Sequence, residues 1–290
     1  MSLGRCWLLA GSILVASPLL FAQSLTMNLP QKVAAGSAFS IPTNGSGDGT
    51  LTIVGPGQVL RQKVHPGSPA SVAAGVLYDA GEYVVILSNG SDEQVGLLEV
   101  TPAPQPSSLS FLAEPSRLPV DLQNGVSGTV YVFDAYHNLI LSPMPVSFNL
   151  SASSGPSQTR TVTTSDGVAW TRMNSAPREG SAHFVAQAGG VTSTRVVDEV
   201  PGDPCNLSMT ATPDHGKAKL TTAPVRDCSG NPIPDGTVVT FTASYRGTQF
   251  TVDVPLKRDV AEVEMPLPPG ATISVASGVV AGNEIHWRGQ

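Results

Sequence analysis

The chain has 290 residues, of which 13% are charged and 41% apolar, with 29 Gly and 25 Pro. So little charge excludes a protein of long solvated helices, and so much apolar content excludes a disordered one; many short strands punctuated by turns fit both numbers. A formal charge of −6 excludes a basic footprint for nucleic acid or for an anionic bilayer.

Residues 1–24 read as an export signal. Arg5 is the positive n-region, Trp7 to Ala16 is a short apolar run, and small or polar residues follow, with cleavage expected after Ala22 or Ser24. No other stretch is long and apolar enough to cross a bilayer, so no membrane span is expected in the mature chain. Losing Arg5 leaves 15 basic against 22 acidic residues, a mature charge of −7. Losing Cys6 leaves Cys205 and Cys228, and an even pair in an exported chain is a disulfide candidate.

Residues 25–101 carry the run Asp79-Ala80-Gly81-Glu82-Tyr83-Val84-Val85. It resembles the tyrosine corner of immunoglobulin-like sandwiches, in which a Tyr hydroxyl bonds back to nearby backbone. That resemblance implies a β-sandwich with Tyr83, Val85 and Leu87 facing its core and Gly96 to Val100 as its last strand. Gly45-Ser46-Gly47-Asp48-Gly49 has the glycines of a phosphate loop without its Lys, and is expected to be a hairpin turn. The segment Thr101-Pro102-Ala103-Pro104-Gln105-Pro106 then reads as an extended linker.

Two further segments, 107–200 and 204–290, repeat one skeleton. VFDAYHNLILSPMPVSF (132–148) aligns without a gap on VRDCSGNPIPDGTVVTF (225–241), with Asp134 on Asp227, Asn138 on Asn231 and Phe148 on Phe241. Asp134, Asn138, Asp227, Gly230 and Asn231 are the turn residues: an Asp side chain caps such a turn, and Gly230 takes the positive φ that most residues avoid. His137 replaces that glycine in the earlier copy, and His is among the few residues tolerated there. Val239, Phe241 and Ala243 alternate with polar residues, the mark of a half-buried strand. The likeness continues with Gly167 on Asp259 and Gly180 on Gly270, which puts Trp170 on Glu262 and His183 on Ile273. A period of about 90 residues suits tandem sandwiches rather than a solenoid. Val200-Pro201-Gly202-Asp203-Pro204 links the two copies.

The repeated pattern resembles the bacterial immunoglobulin-like domains of the invasin and intimin type. Residues 225–241 carry its opening, V-x-D-x-x-G-N-P, and residues 163–169 carry its later G-x-A strand; the middle copy departs at His137 and Leu139, where Gly and Pro are expected. The expected fold class is therefore all-β: tandem immunoglobulin-like β-sandwiches preceded by a signal peptide. In that arrangement Cys205, before the first strand of the last sandwich, and Cys228, after its second, come to one pole. A Cys205–Cys228 disulfide is expected there.

No chemistry of turnover stands out. The five histidines are dispersed, no zinc or nucleophile-elbow motif occurs, and the expectation is no enzyme, no metal and no cofactor. Asp198, Glu199 and Asp203 form an acidic group at the second linker, expected to be solvated, with interdomain calcium as the rival reading. His183 is expected to pack at a sheet edge. Trp170, Tyr136 and Tyr245 are the candidate partner contacts. Trp170 sits on an outward face, where it either packs against a neighbouring domain or loop, or stacks on a sugar or a partner. The resemblance implies an adhesion, interaction or spacer role with a protein or glycan partner. A carbohydrate-binding module using the three aromatics is the alternative. With no barrel segment before the repeats, the expected location is secreted, periplasmic or cell-surface.

Overall fold

The computed structural model describes residues 24–90 and 92–289; the export-signal reading of the segment before residue 24 lies outside them. The described chain is strand and turn throughout, and it divides into two compact units at Thr101/Pro102.

In the first unit the strands are β1 (Thr26–Met27), β2 (Lys32–Ala34), β3 (Phe39–Ile41), β4 (Thr43–Asn44), β5 (Gly49–Gly55), β6 (Gln58–Val64), β7 (Ala70–Val72), β8 (Gly81–Ser88) and β9 (Glu93–Thr101). A five-stranded sheet runs β2-β9-β8-β5-β6, with β2 parallel to β9, beside the short pairs β1-β4 and β3-β7. Alternation decides its inner face: Tyr83, Val85 and Leu87 of β8 and Leu51 and Ile53 of β5 are all buried. Residues 45–48 join β4 to β5, which lie in different sheets. The glycine run is thus a crossover between sheets, and the expected hairpin is corrected: β4 takes its partner from β1.

The second unit continues with β10 (Ser108–Glu114), β11 (Arg117–Pro119), β12 (Val126–Phe133), β13 (Pro145–Ala152), β14 (Gln158–Thr163), β15 (Val168–Met173), β16 (Gly180–Ala188) and β17 (Val191–Val200). Sheet β10-β12-β15 and sheet β11-β17-β16-β13-β14 enclose one hydrophobic core. At its centre Phe111, Phe148 and Phe184 meet edge-on or tilted, with centroids 5.1 to 6.2 Å apart.

A second core follows in the same unit, built from β18 (Pro204–Cys205), β19 (Met209–Asp214), β20 (Lys217–Thr222), β21 (Arg226–Asp227), β22 (Val238–Tyr245), β23 (Thr248–Pro255), β24 (Glu262–Met265), β25 (Thr272–Ser277) and β26 (Val280–His286). Sheets β19-β20-β24 and β23-β22-β25-β26 enclose Leu220, Phe241, Met265, Ile273 and Trp287. Here the side-chain amide of Asn283 stands in for strand pairing: its Oδ1 accepts from the Met209 N–H at 2.7 Å and its Nδ2 donates to the Met209 carbonyl at 3.0 Å.

Register corrects the repeat alignment in its last part. Phe148 pairs with Ala186 and Phe241 with Val275, so Phe184, not His183, stands where Ile273 does. A slip of one residue moves a side chain to the other face of a strand. His183 is therefore exposed on β16, a central strand, and the sheet-edge packing expected of it does not occur.

Candidate functional site

The two Asp-centred turns are the same object at atomic resolution. Asp134 Oδ1 accepts the N–H groups of Tyr136 and Asn138 at 2.8 and 2.9 Å, and Oδ2 accepts the Asn138 side-chain amide at 3.0 Å. Asp227 Oδ1 accepts from Ser229 and Asn231 at 2.9 and 2.8 Å, and Oδ2 from the Asn231 side chain at 3.0 Å. His137 (φ 65°) and Gly230 (φ 86°) occupy the left-handed position. In each turn the remaining acceptor capacity goes to the preceding linker: Ala103 N–H donates to Asp134 Oδ2 at 2.8 Å and Gly202 N–H to Asp227 Oδ2 at 3.0 Å. Burial pushes both carboxyls up, but these hydrogen bonds outweigh it and hold them below the usual carboxylate range.

The second turn also grips the sandwich before it. Asn231 Nδ2 donates to the Pro177 carbonyl at 3.1 Å, Asn231 Oδ1 accepts the Glu179 N–H at 3.3 Å, and Ser229 Oγ donates to Asp121 Oδ2 at 3.3 Å. Cys205 and Cys228 form a disulfide (S–S 2.03 Å) that ties β18 to this turn. The same turn thus closes its own sandwich, fixes the linker and seats on the neighbour.

The acidic group at the linker does not assemble. Asp198 and Glu199 are consecutive on β17 and so face opposite sides. Asp198 accepts from Ser181 Oγ at 3.2 Å. Glu199 is 3% exposed, far from the solvated acid expected, and its Oε1 accepts the Ala176 N–H at 2.7 Å while Oε2 has no hydrogen-bond partner among the described residues. Burial raises the Glu199 carboxyl, the Ala176 bond opposing it. Among the described residues no cluster of three or more His, Cys, Asp or Glu is placed to hold a metal ion. Among the described residues there is no helix long and apolar enough to cross a membrane.

Tyr83 is fully buried, and its hydroxyl lies 2.8 Å from both the Asp79 carbonyl and Gln58 Oε1. Burial, then the nearby Asp79 and Tyr78, push its pKa up to about 12. Gln58 Oε1 also accepts from the backbone of Tyr78 and Asp79, a partner that the D-x-G-x-Y run does not contain.

The three candidate aromatics do not form one platform. Tyr136 lies half-buried in the first Asp turn, while Tyr245 ends β22 with Arg246 over its ring, 5.2 Å from the centroid. Trp170 is 62% exposed on the outward face of β15, so among the described residues of its own unit it lacks the packing against a domain or loop first expected of it. It borders a groove of about 620 Å³ along the open side of the middle sandwich, between β14 and β15, the edge strands of the two sheets. Arg160, Thr161, Val162, Thr171, Arg172 and Asn124 complete the lining. Sequence reasoning missed both arginines, because their meeting with Trp170 depends on which strands become edges.

This architecture defines a class of fold, tandem immunoglobulin-like β-sandwiches. No family model and no curated sequence matches the chain. Among solved structures it resembles FdeC, an Escherichia coli adhesin, at a TM-score of 0.58 and 15% identity over 92% of this chain and 97% of that one. InvD of Yersinia pseudotuberculosis follows at 0.52 and 14%, over 92% and 96%. At these identities the likeness is one of fold.

Proposed function

We propose that the chain is an exported, non-enzymatic interaction protein of the cell envelope, with a general role in adhesion. The observation that carries this reading is the joint at Asp227 and Asn231: a turn that holds its linker and seats on the preceding sandwich suits a protein that must present a surface steadily. The fold shared with the FdeC adhesin supports it, and so does the disulfide, which persists in an oxidising compartment. Sandwiches of this kind recognise partners through outward faces and strand edges and need no clustered acid, base and nucleophile.

Two measurements test the reading. Fractionation of the producing cell should place the chain beyond the inner membrane, shortened by the first 22 or 24 residues. Beads coated with the mature chain should be retained on a cell layer or envelope preparation above albumin-coated beads. A full-length chain recovered in the cytosol, or retention no better than albumin, overturns it.

A further inference from the structure

We infer that the groove beside Trp170 is a binding site for an anionic sugar chain, with the indole as stacking platform and Arg160 and Arg172 as receptors for carboxylate or sulfate. The inference rests on the reading of the chain as an interaction protein and names the ligand class.

The repeat supplies the comparison. In the last sandwich, register puts Val252 in the place of Arg160, and Glu262 and Glu264 in the places of Trp170 and Arg172. There the face is neutralised from within: Lys219 reaches Glu262 at 2.8 Å and Lys217 reaches Glu264 at 3.1 Å. In the middle sandwich β12 offers no counter-charge, since Ser127 stands opposite Arg172 and Thr129 opposite Trp170. Neither arginine makes an ion pair among the described residues. On a chain whose net charge is −6, two unpaired guanidiniums and an exposed indole share one groove, and no acid lines it. Folding does not require them, because the sister module folds with none of the three.

The chemistry selects the ligand. A sugar ring presents a C–H face to an indole and hydroxyls to Asn124, and a guanidinium takes a carboxylate or sulfate bidentately. An acidic peptide added as an extra strand would satisfy the same charges. However, Arg160 pairs with the buried Phe148 and so points to the inner side of edge strand β14, and an inward charge on an edge opposes strand addition. The groove volume lies in the range of small-ligand sites, room for a few sugar rings.

The test uses the mature full chain and affinity electrophoresis with four probes: polygalacturonate, dextran sulfate, neutral dextran and polyglutamate. Retardation by polygalacturonate or dextran sulfate, at least tenfold weaker for Trp170→Ala and for Arg172→Ala, supports the site; which polymer is preferred tells carboxylate from sulfate. Glu262→Ala, at the matching place in the sister module, should leave retardation unchanged. Thermal melting of each variant within about 2 °C of the parent excludes unfolding as the cause. No retardation by either anionic sugar, retardation that survives Trp170→Ala, or equal retardation by polyglutamate overturns the site. If the beads above are retained and keep their retention with Trp170→Ala while the polymers fail, the ligand class falls and the adhesion reading stands.

Discussion

At the scale of single residues, the buried carboxyls set the response to acid. Asp134 and Asp227 titrate lower folded than unfolded, so their contribution is whole at neutral pH. It fades once pH falls below the unfolded value of about 3.9, and is lost as pH passes through the folded values. Glu199 has the opposite sign: its folded pKa is raised, so ionised Glu199 weakens the fold at neutral pH, and that cost disappears as pH falls toward about 4.3. Melting temperature followed from pH 7 downward should therefore rise slightly and then drop. Glu199→Gln, which keeps an acceptor for the Ala176 N–H, should raise the neutral melting temperature and abolish the initial rise; a lower melting temperature at pH 7 would contradict the assignment. Asp227→Asn removes a charged acceptor shared by three backbone N–H groups and one amide, and is expected to cost about 2–3 kcal/mol in urea unfolding. Tyr83→Phe, which strips the Asp79 carbonyl of its buried donor, should cost about 1–2 kcal/mol.

At the scale of elements, the strands and turns were legible because each follows from a local rule. Alternation gave the inner faces of β8 and β22, and the Asp-x-x-Gly-Asn run gave the turn before β22. What stayed hidden depends on partners distant in sequence. Gln58 completes the tyrosine corner from a different hairpin, Glu199 is buried because β17 continues to Val200, and Arg160 meets Trp170 only because β14 and β15 end their sheets. The slip at His183 has the same origin: loop lengths between the copies shift the offset, and the strand period of two turns one residue of error into the wrong face. The disulfide belongs to this scale as well. It bridges a sequence separation of 23 and anchors the turn that carries Asp227, so Cys205→Ser with Cys228→Ser is expected to cost about 3 kcal/mol, read as a lower urea midpoint. An unchanged midpoint would mean that the two cysteines do not pair in the folded chain.

At the scale of the molecule, the joint lies within the second unit. Its two cores are separate, yet Asn231 and Ser229 hydrogen-bond across the junction. Asn231→Ala leaves the Pro177 carbonyl and Glu179 N–H without their partner, and limited proteolysis of the full chain should then cut within residues 200–204 at least several-fold faster. Equal cleavage rates in variant and parent would mean that this turn does not hold the junction.

The Asp turn has a consequence for how such chains grow. Each copy brings its own acceptor for the stretch that precedes it, Asp134 for Ala103 and Asp227 for Gly202. A gene duplication that inserts one more module inserts its tether too, so the array lengthens without a fresh contact surface having to arise at every seam.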